Sequence, residues 1–379
     1  MIKIYKKAVL PKRFMASAVA SGIKKTGKLD LALFYSLGLA KAACKFTANK
    51  IQAAPIKLNK RYLKSNKYFQ AIIANSGNAN CFNGRFGLSD AQETTRELAR
   101  NLNINKQAIL VASTGIIGRR LPLLKIKQAI PQLVKNMSRE GIRQAKRAIM
   151  TTDTFSKEIT LKFKIRNKIV TICAIAKGSG MIAPHMATML CFIFTDASIT
   201  QGALNKALKI AVDKSFNCIT VDGCMSTNDS VILLANGASG NNTVDTNKYF
   251  SLFRGALSRT CLELAKMIVK DGEGASKFIQ IKVGKAKSFS EAKRIALSIA
   301  NSNLFKTAIY GEDPNFGRVV AAVGASGIDV REKDLKVKVS PLNKKEINVD
   351  VSINRGNASA IVYTSDLTPE YIKINAKYN

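Results

Sequence analysis

Residues 177–190 read Lys-Gly-Ser-Gly-Met-Ile-Ala-Pro-His-Met-Ala-Thr-Met-Leu: a glycine-rich approach, a proline, and then the hydroxyl of Thr188. A threonine hydroxyl is a weak nucleophile until a base stands beside it. One solution is for the threonine's own α-amino group to be that base once the preceding peptide bond is cut. That chemistry makes Ala187-Thr188 a scissile bond and Thr188 a new N-terminus. The competing reading is a turn leading into an apolar strand at 190–194, with Thr188 its first β-forming residue. These residues alone leave both open.

The chain has one histidine, His185, directly after Pro184 and close before Thr188. Base and nucleophile must meet in a defined hydrogen-bond geometry, so this spacing favours a loop residue over a triad base. A free α-amine, with a reference pKa of about 8, is partly neutral at cellular pH and can take the base's place. The tetrahedral intermediate then needs an oxyanion hole. Thr114-Gly115, in a turn after an apolar run, can aim a hydroxyl and an amide at one point, and reads equally as an ordinary turn. Asp271-Gly272-Glu273-Gly274 either presents Glu273 to a substrate ammonium or ends a helix with a solvated side chain. In the turn-rich segment 310–318, Arg318 either binds a carboxylate or pairs with Asp313.

The elements that must hold these groups alternate. Strands are predicted at 31–34 and 68–74, a helix at 89–102, and a strand at 107–112 that empties into the Thr114-Gly115 turn. A helix or helix pair follows Pro122 toward Met150, with Pro131 and Gly141 as its weak points. A hairpin at 158–163 and 168–176 delivers the chain to Lys177. Beyond Thr188 come strands at 190–194, 230–235 and 278–283, interleaved with helices at 201–215, 246–270 and 290–300, then strands near 335–339, 347–353 and 358–364. This alternation predicts a mixed α/β, layered protein.

At 379 residues and 46% hydrophobic, the chain has the material for a sizeable core. Its apolar runs fall short of the roughly 20 residues that cross a bilayer, and its start lacks a secretory apolar stretch, so the cytoplasm is the expected location. Seven widely spaced cysteines, with no Cys-x-x-Cys pair, argue against zinc ribbons and disulfide frameworks. The formal charge of +35 would suggest nucleic acid, but Lys and Arg are spread along the chain without a basic arm or an aromatic-interleaved patch, so no specific nucleic-acid partner is expected.

Taken together, these segments resemble the ornithine acetyltransferase family, also called glutamate N-acetyltransferase. Its members cut themselves before the threonine of a Lys-Gly-x-Gly-Met-Ile-x-Pro-Asn-Met-Ala-Thr-Met-Leu signature. The similarity extends in order through Gly22-Ile23-Lys24, Ala74 to Ala79, Ser113 to Gly118, Met150 to Thr154, Met225 to Asp229, Asp271 to Gly274, Asp313 to Arg318 and Ile374-Asn375-Ala376.

The resemblance implies a helix-sheet-sheet-helix core of the ornithine acetyltransferase/aminopeptidase type with a smaller C-terminal lobe. It also implies fragments 1–187 and 188–379 forming one intertwined catalytic unit, two copies of each making a heterotetramer. It assigns Thr188 as nucleophile, Thr114 and Gly115 as oxyanion hole, and Thr151, Lys177, Thr188, Glu273 and Asn375 as substrate-binding. Chemically, Lys177 suits an amino-acid carboxylate, and Glu273 an ammonium or a transferring proton. The implied substrates are N2-acetylornithine and glutamate, within arginine biosynthesis and without metal or cofactor; some relatives use acetyl-CoA as a further co-substrate. An N-terminal-nucleophile amidase of related fold is the alternative enzyme, and a basic nucleic-acid-binding protein the alternative outside catalysis. The chain departs from the pattern at His185 (usually Asn), Cys224 (usually Asp) and Phe316 (usually Trp), and the sequence ends at Asn379 where the family continues to a substrate-contacting Ser or Thr.

Overall fold

The computed structural model describes residues 2–183, 189–246 and 248–376. The chain divides into two compact units. Over the described residues, the first takes Met1–Gly178, Thr188–Lys214 and Ser226–Leu264, and the second Ser179–Ala187, Ser215–Met225 and Ala265–Asn379. Each unit therefore draws chain from both sides of the expected cleavage point.

In the first unit the order is β1 (Lys3–Tyr5), β2 (Phe14–Val19), β3 (Leu31–Phe46), α1 (Ala54–Ser65), β4 (Phe69–Asn78), α2 (Gly84–Leu102), β5 (Ile109–Ile116), α3 (Leu123–Lys135), α4 (Ile142–Ala148), β6 (Lys157–Ile165), β7 (Lys168–Lys177), β8 (Leu190–Thr195), α5 (Gln201–Asp213), β9 (Ser230–Ala235) and α6 (Lys248–Lys270), whose last turns belong to the second unit. The strands join in the order β1-β6-β7-β8-β9-β3-β4-β5, with β2 also on β3.

Strands β8 and β9 are parallel neighbours, and all six residues of each are buried. A strand covered on both faces needs a continuous apolar run, which Leu190–Thr195 and Ser230–Ala235 supply. The long β3 divides the sheet. Its first half pairs with β2 and β4, its second half with β9, and the register shifts between Tyr35 and Ala40. The two halves face each other: the Phe34 ring stands 5.0 Å from Phe192 and 5.2 Å from Phe194. Leu98, Ile126, Ile130 and Leu133 bring α2 and α3 into the same core. Helix α6 covers another face through Phe253, 6.4 Å from Phe163 on β6. The result is the expected layering of helices, two sheet halves and helices.

The second unit contains β10 (Phe278–Ala286), α7 (Phe289–Ala300), α8 (Asn303–Tyr310), α9 (Gly317–Gly324), β11 (Lys336–Val339), β12 (Glu346–Ser352), β13 (Ala358–Ser365) and α10 (Pro369–Ala376). Its sheet order is β11-β12-β10-β13. On β12, buried Ile347, Val349 and Val351 alternate with exposed Glu346, Asn348 and Asp350, so one face packs and the other is wet. Ile295 and Ile299 of α7 join that packed face. Ser288 caps α7 by accepting from the Glu291 amide.

Most predicted elements are present, but β1 and β2 went unrecognised, the strand predicted at 107–112 continues through the expected Thr114-Gly115 turn to Ile116 because it stays paired with β4, and three further differences stand out. The strand expected at 31–34 is 16 residues long, because a register shift carries it from one half-sheet to the other. The helix pair after Pro122 is confirmed, but α3 continues through Pro131, since the buried stripe Ile126, Ile130 and Leu133 outweighs the lost hydrogen bond; the break falls between Lys135 and Ile142. Helices α1, α8, α9 and α10 went unrecognised; α9 begins at Gly317, inside the segment read as turn. The cysteines form no disulfide, and Cys224 alone is exposed. No helix among the described residues is long and apolar enough to cross a membrane.

Candidate active site

In the first unit, the start of β8 collects the groups of interest. Lys177, the last residue of β7, pairs in register with Leu190, the first of β8, and Ser230, the first of β9, pairs with Leu190 from the other side. Lys177 is buried, with 2% of its surface exposed. The residue just upstream, Met189, is clamped at both ends of its backbone: its N–H donates to Asp229 Oδ1 at 2.9 Å, and its carbonyl accepts from the Ser230 N–H at 3.1 Å. Ala187, Thr188 and His185 lie outside the described residues.

The oxyanion candidates sit at the end of β5. Gly115 has φ +129°, and a Cβ there would fall 2.4 Å from the Gly77 carbonyl carbon on β4, so only glycine fits. The preceding Thr114 is buried. This strand end is held by its neighbours. Asn228 Nδ2 donates to the Ser113 carbonyl at 2.8 Å and to the Ala79 carbonyl at 2.6 Å, while Ser113 Oγ donates to Asn75 Oδ1 at 2.6 Å. Since Asn228 precedes Asp229, a continuous linkage runs from Ser113 through Asn228 and Asp229 to Met189.

Asp153 organises the third corner of this unit. Oδ2 accepts from the Thr151 amide at 3.0 Å, and Oδ1 accepts from Lys157 Nζ at 2.5 Å and from the Gly178 amide at 2.7 Å. Burial would raise the Asp153 pKa, but the charges of Lys177 and Lys157 and the Gly178 amide outweigh it and hold the carboxyl at about 2. Burial draws the nearby Lys24 ammonium down to about 8, Asp30 opposing and Lys177 reinforcing the shift. Lys24 Nζ donates to the Met150 carbonyl at 2.8 Å. A cavity of about 500 Å³ lies against this cluster, lined by Lys24, Arg147, Met150, Thr151 and Asp153 among others.

The second unit holds the remaining candidates. Glu273 follows the end of α6, half-buried, and its Oε2 accepts from Asn375 Nδ2 of α10 at 2.9 Å. The Glu273 amide donates to the Ser179 carbonyl at 2.9 Å, and the carboxylate covers Gly180 so closely that a Cβ there would meet it. Gly274, φ +69°, lets the backbone pass the Tyr371 amide, 2.4 Å from where its Cβ would stand. Glu273 is thus presented on a built support rather than left solvated beyond a helix. Asp222 fixes the segment after Gly180 by accepting from the Met181 amide at 2.6 Å and the Ile182 amide at 2.8 Å. Arg318 pairs with Asp313 at 3.7 Å and donates to the Leu304 carbonyl, which answers the alternative left open for that arginine. Cys224 lies exposed beside Asp222, its thiol pushed up by burial and by the Asp222 charge.

Within the first unit, therefore, the structure brings Lys177 and Thr151 around Asp153, and ties the Thr114-Gly115 end of β5 to Met189. Within the second it joins Glu273 to Asn375. Asp153, Asn228 and Asp229 are the site residues that sequence reasoning left without a role. Asp153 stands among threonines and Asn228-Asp229 after a Ser-Thr pair, and short polar runs of that kind mark any loop.

The ArgJ family model matches residues 15–343. The chain is 44% identical over 397 residues to the arginine biosynthesis bifunctional protein ArgJ of Caldanaerobacter subterraneus subsp. tengcongensis, covering 98% of each. It is 43% identical over 400 residues to the glutamate N-acetyltransferase of Methanocaldococcus jannaschii, covering 97% of each. A crystal structure of the arginine biosynthesis bifunctional protein argJ from Bacillus halodurans aligns at 36% identity with a TM-score of 0.47, over 49% of this chain and 97% of that one.

Proposed function

The chain belongs to the ArgJ family, and from that premise we propose that it transfers the acetyl group of N2-acetylornithine to glutamate through an acetyl-threonine intermediate. It is an acyltransferase of arginine biosynthesis.

In the proposed cycle, cleavage of the Ala187-Thr188 bond frees the Thr188 α-amine. That amine takes the hydroxyl proton as Thr188 Oγ attacks the acetyl carbonyl. Thr114 Oγ and the Gly115 amide donate to the oxyanion. Collapse expels ornithine, its amine receiving the proton, and glutamate's amine then attacks the ester to regenerate Thr188. The Thr188 hydroxyl proton leaves on ornithine, and the proton lost by glutamate's amine passes through the Thr188 α-amine to restore the hydroxyl, so the cycle balances without metal or cofactor. Thr151, Lys177, Glu273 and Asn375 are the proposed substrate contacts, each suited by chemistry: a buried cation for a carboxylate, a supported carboxylate for an ammonium.

The observation that carries this reading is the linkage Ser113–Asn228–Asp229–Met189, which ties the glycine-only end of β5, with its Thr114 hydroxyl, to the residue after Thr188. Fragments 1–187 and 188–379, a heterotetramer of two copies of each, a cytoplasmic location and acetyl-CoA as a second acetyl donor belong to the same proposal.

A denaturing gel with mass spectrometry tests it. The wild-type chain should give two fragments joining at Ala187-Thr188, and Thr188→Ala should stay whole and inactive. Enzyme loaded with N2-acetylornithine should carry acetyl on Thr188 and lose it faster to glutamate than to water. Full activity from an uncut wild-type chain would sink the mechanism; faster loss to water would make the protein an amidase.

A further inference from the structure

Asp229 is fully buried, yet only one of its carboxyl oxygens is used. Oδ1 accepts the Met189 amide, whereas Oδ2 has no hydrogen-bond partner among the described residues. The Thr47 and Ser226 hydroxyls are its polar neighbours: Thr47 Oγ1 donates to the Ser226 carbonyl at 2.8 Å, and both hydroxyls partly oppose the rise that burial gives the Asp229 carboxyl. An ionised carboxylate with one oxygen dry and unpartnered is costly, whereas a carboxylic acid places a hydrogen where the partner is lacking. The Asp229 side chain is also the only one that holds the Met189 amide, whose nitrogen is bonded to the Thr188 carbonyl carbon.

We propose that Asp229 is a positioning residue for the reaction at Thr188, its carboxylic acid fixing the peptide that follows the nucleophile. The inference rests on the acyl-transfer reading above. Burial supports it by pushing the Asp229 pKa well above the ordinary carboxylate range, against the opposing Met189 amide bond and the Lys177 charge. Asp229 takes no proton in the cycle; it orients and stays neutral.

The test compares Asp229→Ala and Asp229→Asn with wild type for self-cleavage rate, kcat and KM, with circular dichroism as the folding control. The amide of Asn keeps the oxygen that accepts from Met189 and puts N–H where the acid has O–H. Asp229→Ala should cut and turn over roughly a hundred-fold more slowly, with KM within about three-fold of wild type, as expected when placement and not affinity is lost. Asp229→Asn should recover at least about ten-fold of that loss. An Asn variant as slow as the Ala variant overturns the inference, because an ionised carboxylate would then be required, and so does an Ala variant as fast as wild type. If Asp229→Ala does not fold, Asp229→Asn decides alone: near-wild-type cleavage with unchanged KM supports the neutral acid, and cleavage as slow as Thr188→Ala refutes it. A wild-type chain that neither cuts nor transfers acetyl overturns the underlying reading, whereas an active wild type with an inactive Asn variant overturns the inference alone.

Discussion

The Glu273 carboxylate lies directly over Gly180: a Cβ built on that glycine would stand 2.1 Å from Oε2 and 2.3 Å from Cδ. Gly180 is absent from the positive-φ residues, so its backbone is open to any side chain and the constraint is purely steric. Gly180→Ala should therefore displace Glu273 from Asn375 without disturbing the fold. A hydrogen bond to a charged group is worth about 1.5–3 kcal/mol, so KM for N2-acetylornithine should rise by about ten-fold or more, with Tm within a few degrees of wild type. Steady-state kinetics beside a thermal melt check this; an unchanged KM would show that the Glu273 position does not matter.

Gly115 is constrained twice, by φ +129° and by the 2.4 Å approach of a Cβ to the Gly77 carbonyl carbon. Gly115→Ala must move the β4-β5 crossing and with it the Thr114 hydroxyl. Loss of one oxyanion donor typically costs about 10²–10³ in kcat, and a fall of that order is expected even where the variant is soluble. A kcat within two-fold of wild type would remove Thr114-Gly115 from the mechanism.

Asn228 satisfies two carbonyls, of Ala79 and Ser113. Asn228→Ala leaves both buried and unmatched, a cost of about 1–3 kcal/mol each before relaxation. Denaturant unfolding should show a lowered midpoint with unchanged slope. The kcat should fall more than the KM changes, since the same bonds hold the oxyanion turn.

Asp153 supplies a pH signature. Its folded pKa is about 2 against an ordinary 3.8, so the folded state favours the ionised form. The resulting stability is fully present above about pH 4 and is lost as pH falls toward 2; by linkage it amounts to the order of 2 kcal/mol. Urea midpoints measured from pH 5 to 2 should show this loss in wild type and not in Asp153→Asn. The Asn variant should also be destabilised at pH 7 by about 3–5 kcal/mol, because it removes the carboxylate charge that faces the buried Lys157 ammonium.

The strands were the most readable part in one dimension: the apolar runs at 190–194 and 230–235 became strands bounded by Leu190–Thr195 and Ser230–Ala235, whereas the turn read at Thr114-Gly115 is the end of strand β5. Local preference decides such features, because a turn or a buried strand is specified by neighbours in the chain.

What the sequence by itself supplied, then, was a set of candidate groups and most of the strands and helices around them, though not the helix α10 that carries Asn375 nor the reach of β5 through Thr114-Gly115. Tertiary structure alone decided their supports. Asp229 reaches Met189, 40 residues earlier, only because β8 and β9 pair in parallel from Leu190 and Ser230. Gly115 is obligatory only because Gly77 lies against it on β4, and Gly180 only because Glu273 folds back over it. A hydrogen bond or a steric contact between distant residues depends on register and packing across elements, and neither leaves a mark in the residues on one side of the contact.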